Sequence, residues 1–213
     1  MKTDELVALL ARNAEPVPAR DPSARVGLAM LAGMAIAAAL TVAVLGLNPR
    51  LGRELALPMF WVKVSFAAGV GLIGLLAVRR LARPGRAIGG LRAALALPVL
   101  AIWLLAAVTL LAASPVDRTA LVLGETWRFC TLNIAWLSAP AFAAIALGVR
   151  AFAPTRLRLA GAAAGFAAGG VAALVYTLHC PELSAAFIGI WYVLGVLVPT
   201  AMGALVGPRL FAW

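Results

Sequence analysis

The chain has 213 residues, of which 64% are hydrophobic and only 12% charged, and it carries a net charge of +10. A soluble domain holds roughly 45–50% apolar and about 25% charged residues, so a water-surrounded globule is excluded and spanning helices are indicated. The basic residues lie mostly between the apolar runs, where a membrane distributes them, and do not point to direct nucleic-acid binding.

At the N-terminus Thr3 can cap a short helix whose first turn carries Asp4 and Glu5, the charge that a helix dipole favours there. Leu6, Leu9, Leu10 and Asn13 follow at helical spacing, with Val7 and Ala11 alongside, and form a small apolar stripe. Pro16, Pro18 and Pro22 end the helix and make an extended linker. A helix this short is marginal in water. The stripe therefore predicts docking on a partner or on the membrane surface; the alternative is a frayed tail.

Six apolar runs follow: Val26–Leu47, Leu57–Val78, Ala93–Ala113, Thr131–Val149, Leu159–Leu178 and Leu183–Val206. Each is near the roughly 20 residues that a spanning helix needs. None alternates as a barrel strand does. The expected fold is all-α, a polytopic bundle of about six transmembrane helices over residues 26–206. A helix and linker (1–25) precede it and a short end (207–213) follows. The first run lacks a small-residue cleavage site followed by a soluble body, so a cleaved signal peptide is not expected. Thirteen Lys and Arg residues fall in the N-terminal tail, the second and fourth loops and the C-terminal end, against four in the odd-numbered loops. The positive-inside rule then places both termini in the cytoplasm, an N-in, C-in arrangement.

The second loop, Arg79 to Arg86, is a basic turn suited to setting topology and binding anionic lipid. The third opens Ser114-Pro115-Val116-Asp117, which predicts a short surface helix with Ser114 at its N-cap; Gly124 can end it and Trp127 can anchor at the interface. Gly161, Gly165 and Gly169 on the fifth run permit close approach by a neighbouring helix.

Chemistry-bearing residues are few. Lys63 is the one ionisable group well inside a run, and it can snorkel outward or be satisfied by carbonyls or a loop carboxylate. Thr109, Asn133 and Ser138 are expected to bond between helices. The two cysteines, Cys130 and Cys180, both fall in the odd-numbered loops, at one membrane depth and facing an oxidising compartment. His179, the only histidine, adjoins Cys180, and its imidazolium could lower the thiol pKa. Three readings stay open: a structural disulfide or unrelated thiols, a redox-active pair, or a soft metal site formed by Cys130, Cys180 and His179, with Glu182 adding a carboxylate. No phosphate loop, Ser/His/Asp set or zinc-finger spacing occurs. Neither an enzyme nor a cofactor is expected.

The opening Met1-Lys2-Thr3-Asp4-Glu5-Leu6-Val7-Ala8-Leu9-Leu10-Ala11 resembles the start of the NrsF-type anti-sigma factors, six-span inner-membrane proteins of proteobacteria. Similar too are Phe60-Trp61-Val62-Lys63, Arg80-Leu81-Ala82-Arg83-Pro84-Gly85, Cys130, Leu178-His179-Cys180-Pro181-Glu182 and Trp191-Tyr192-Val193-Leu194-Gly195. The resemblance covers essentially the whole chain. It implies that an extracytoplasmic-function sigma factor is held inactive at the inner membrane of a Gram-negative bacterium. It implies also that the cysteines sense metal or oxidative stress. Thr3, Asp4, Glu5, Leu6, Leu9 and Leu10 are then the candidate partner-binding surface, and Cys130, Cys180, His179 and Glu182 the candidate sensing group. Two other functions are weighed: a membrane thiol oxidoreductase coupled to quinone, disfavoured by the missing Cys-x-x-Cys, and a small metal exporter, disfavoured by the nearly empty membrane interior.

Overall fold

The computed structural model describes residues 3–12, 22–86 and 88–212. The regular structure of the described residues is all helical, with no strand among them. Backbone amides have no water to bond in hydrocarbon, and an α-helix satisfies them within one segment.

The N-terminal helix α1 (Thr3–Arg12) carries Asp4 and Glu5 in its first turn and Arg12 in its last. Thr3 lies in the helix rather than ahead of it. Asn13, Pro16 and Pro18 fall outside the described residues, as does the side chain of Leu10. Leu6, Val7 and Leu9 are exposed, so this part of the stripe is not buried against the bundle.

Six helical segments are long and apolar enough to cross a membrane, as expected. The first is α2 (Pro22–Leu40), continued by a π-helical turn at Thr41–Leu45. The short α3 (Leu51–Glu54) leads to α4 (Pro58–Leu81), then α5 (Leu91–Ala112). α6 (Pro115–Leu123) joins α7 (Trp127–Arg150), and α8 (Leu157–Tyr176) follows. The last span starts as α9 (Ala185–Phe187), passes through a π turn at Ile188–Tyr192 and ends as α10 (Val193–Leu210). α10 runs past residue 206, and Phe211 after it is buried.

The expected surface helix is α6. Ser114 caps it: its hydroxyl accepts from the Asp117 N–H at 3.4 Å and donates to the Asp117 carboxylate at 2.7 Å. Trp127 packs against Trp191, with ring centroids 5.2 Å apart and planes tilted by 40°, so it holds α7 to the last span.

α8 is the central post, because its residues are small. Gly161 and Gly165 meet the backbones of Gly203 and Pro199 on α10, and the carbonyl oxygens there occupy the space a Cβ would take. On another face of α8, Ala167 lies against Gly74 of α4. Without a hydrophobic drive between helices in lipid, such close backbone approach supplies the packing.

Thr109 and Ser138 depart from expectation. Their hydroxyls donate to Ala106 and Ala135 carbonyls in their own helices, at 2.9 and 2.6 Å. Back-bonding of this kind satisfies a hydroxyl locally, so no neighbour is needed. Asn133 does reach another helix, donating to the Tyr176 hydroxyl at 3.3 Å.

The buried core has two parts. One gathers Cys130, Ile134, Tyr176, Cys180, Phe187 and Tyr192 at one end of the bundle. The other gathers Val26, Leu81, Ile145, Val149 and Phe211 toward the end where the chain enters α2 and leaves α10.

Candidate functional site

The end of the bundle opposite the termini is roofed by three loops, over residues 46–57, 113–126 and 177–184. Backbone and side-chain bonds tie the first to the third. The Asn48 N–H donates to the Leu178 carbonyl at 3.0 Å, and His179 Nδ1 lies 3.0 Å from the Gly46 carbonyl. Asn48 also donates through Nδ2 to the buried Glu54 carboxylate at 2.8 Å.

Glu182 ties the third loop to the second. Its Oε1 accepts from the N–H groups of Glu125 (2.7 Å) and Thr126 (3.2 Å) and from the Thr126 hydroxyl (3.3 Å). This carboxylate lies at the N-terminus of α7, where unsatisfied N–H groups and the helix dipole attract an anion. Gly124, at φ +56°, leaves room for it: a Cβ there would fall 2.6 Å from the carboxylate.

Beneath this roof are the two thiols. Cys130 is in the first turns of α7, and Cys180 follows α8, its N–H bonded to the Tyr176 carbonyl at 3.0 Å. Both are free thiols with no exposed surface. They belong to one buried cluster, close enough for the Cys130 thiol to donate to the Cys180 sulfur. That hydrogen bond holds the Cys180 thiol below its ordinary pKa; burial opposes it, and the Lys63 charge and the Glu182 N–H add to the lowering. The Thr126 hydroxyl is 4.0 Å from the same sulfur.

Lys63 is fully buried on α4 and does not snorkel. Its ammonium donates to the carbonyls of Cys180 (2.7 Å) and Glu182 (3.1 Å) and lies 5.6 Å from the centroid of the Phe60 ring. Carbonyl satisfaction, one of the two readings of this lysine, is what occurs.

The structure thus gathers Cys130, Cys180, Glu182 and Lys63, residues from three separate stretches of chain. His179 belongs to the same loop, but its ring turns to Gly46 and lies 5.5 Å from the Tyr176 ring. Among the described residues no group of three or more His, Cys, Asp or Glu side chains is placed to hold a metal ion. Sequence reasoning passed over Tyr176, Tyr192 and Thr126. The tyrosines had a signal: they are the only two in the chain, each inside or beside an apolar run, and both pack at the thiols with ring centroids 5.9 Å apart.

The family model for "negative regulator of sigma F" matches residues 10–213. A "probable anti-sigma-F factor NrsF" of Azospira oryzae is 50% identical over 213 residues, covering all of both chains. An "anti-sigma-F factor NrsF" of Caulobacter vibrioides is 39% identical over 231 residues, again covering all of both. No solved structure matches. Full-length agreement of this kind leaves no segment of the chain unaccounted for, and the chain belongs to the family of negative regulators of sigma F, the anti-sigma factors of the NrsF type.

Proposed function

We propose that this anti-sigma factor holds an extracytoplasmic-function sigma factor inactive at the bacterial inner membrane and releases it when the thiol pair reacts with a metal ion or an oxidant. The observation that carries the reading is the meeting of Cys130 and Cys180, 50 residues apart in sequence, as free thiols of one buried cluster under a closed roof. They are the most reactive groups at the end of the bundle that the charge distribution assigns to the periplasm. At the other end, the exposed Leu6, Val7 and Leu9 of α1 supply an apolar face for a cytoplasmic partner, with Thr3, Asp4 and Glu5 beside them and Leu10 at the stripe's helical spacing.

Two sets of variants in a reporter strain test this. Cys130→Ser, Cys180→Ser and the double variant should reduce stress induction to a similar degree, because loss of either thiol abolishes the pair. Additive single effects would contradict a shared site. Leu6→Asp should raise transcription without stress, since a charge in a small apolar interface costs several kcal/mol. Intact repression at normal membrane levels would move the partner surface to the basic loops.

A further inference from the structure

A thiol pair at one end of a bundle must act on something that reaches the other end. Cys180 and Glu182 lie in an irregular segment, and their carbonyls have no helical partner of their own. Lys63 supplies one. Its Nζ, with no exposed surface, is 2.7 Å from the Cys180 oxygen and 3.1 Å from the Glu182 oxygen. The carbonyl it holds most tightly thus belongs to the residue that bears the thiol. Its own backbone belongs to α4, which continues to Leu81 and the basic loop at the opposite end. At 1.5 Å per residue that helix spans about 36 Å.

A buried ammonium has little freedom to lose a ligand. Left with one carbonyl, the Phe60 ring and the charges of Glu54 and Glu182 that act on it without a hydrogen bond, it is a buried charge short of a ligand, and the helix bearing it must shift or the loop must follow. Joining Cys130 and Cys180 draws two sulfurs from contact to bonding distance and moves the Cys180 backbone. Its carbonyl then moves relative to Nζ. We propose that Lys63 is the positioning residue that passes the state of the thiol pair to α4, through its hydrogen bonds to the Cys180 and Glu182 carbonyls. This rests on the thiol reading above, and it adds the element by which that chemistry leaves the site.

The test uses full-length protein in host membranes with its sigma factor bound, and diamide as the probe. Each disulfide formed takes two protons and two electrons from the two thiols and delivers them to the N=N bond of diamide, which becomes a hydrazine. Disulfide formation is read by loss of maleimide-reactive thiol, and release by sigma factor remaining on sedimented membranes. In the unsubstituted protein the two should rise together. Lys63→Met should form the disulfide but release about fivefold less sigma factor at equal oxidation. Lys63→Arg, which keeps charge and donors, should recover much of the release. If Lys63→Met does not accumulate, Lys63→Gln is scored in its place. Release equal to that of the unsubstituted protein in the Met or Gln variant overturns the proposal. So does parallel loss of oxidation and release, or absence of all three variants from the membrane, since a purely structural lysine gives those results. Release by diamide in Cys130→Ser or Cys180→Ser membranes is a separate outcome that sinks the thiol reading itself.

Discussion

Glu182 illustrates how one side chain can decide whether buried thiols are reachable. Its carboxylate closes the roof through three hydrogen bonds to Glu125 and Thr126, and Thr126 in turn stands over the Cys180 sulfur. A hydrogen bond to a charged group contributes about 1.5–3 kcal/mol net. Glu182→Ala should therefore speed alkylation of Cys180 in membranes by about tenfold or more, measured by mass spectrometry at fixed pH. An unchanged rate would show that entry to the thiols does not pass this latch. The pH dependence carries a second, independent sign. Cys130 is the foremost cause of the lowered Cys180 pKa, so its hydrogen bond favours the thiolate. Removing that donor in Cys130→Ala, on the Glu182→Ala background, should move the midpoint of Cys180 alkylation to higher pH. A midpoint that falls or stays would contradict the donor role.

At the scale of elements, two departures from plain α-helix matter. At the π turn over Ile188–Tyr192, side chains from other segments donate to the backbone carbonyls. Trp103 donates to the Gly189 carbonyl at 2.7 Å, and Thr131 to that of Trp191 at 3.1 Å. The turn also places the fully buried Tyr192 in the cluster that holds the thiols, in keeping with the placement of π-bulges near functional sites. The second element is the α8–α10 seam, where backbones meet at Gly165 and Pro199. Gly165→Leu must push the helices apart, and overpacking costs about 1–3 kcal/mol or more. It should lower the melting temperature of detergent-solubilised protein and its level in the membrane. Gly52→Ala, where an added Cβ meets nothing within 4 Å, should leave both unchanged. Equal effects from the two would mean that the seam does not limit stability.

For the whole molecule, sidedness governs everything said of the thiols. The spans alternate, so the loops at residues 82–90 and 151–156 share one end with the termini, while those at 113–126 and 177–184 roof the thiols. The 13-to-4 division of basic residues assigns the first end to the cytoplasm. Reporter fusions after residues 85 and 155 should report cytoplasm, and fusions after residues 120 and 182 periplasm. An inverted pattern would put the thiols in a reducing compartment and remove their proposed role. Within the bundle, α8 is the most enclosed of the spans among the described residues, and α5 is the least. α8 thus forms the packing centre, and α5 presents mostly to lipid.

Much of this architecture was legible in the chain. Apolar runs of spanning length, separated by short polar loops, determine six helices, because hydrocarbon tolerates few other backbones. The Ser-Pro-x-Asp signal determined α6, since capping is local chemistry. The Gly161-Gly165-Gly169 spacing marked the face where a neighbour approaches, but not which neighbour. In lipid every face of a span is apolar, so hydrophobic periodicity does not say which face turns inward. Only the tertiary structure decided that α10 and α4 are the partners of α8, that Ser138 and Thr109 bond within their own helices, and that His179 turns to Gly46. It alone set Lys63 beneath the carbonyl of Cys180, 117 residues along the chain. Contacts of such sequence separation leave no local pattern: they exist because helix packing brings the ends of α4, α7 and α8 together, and side chains there take whatever partners the backbone offers.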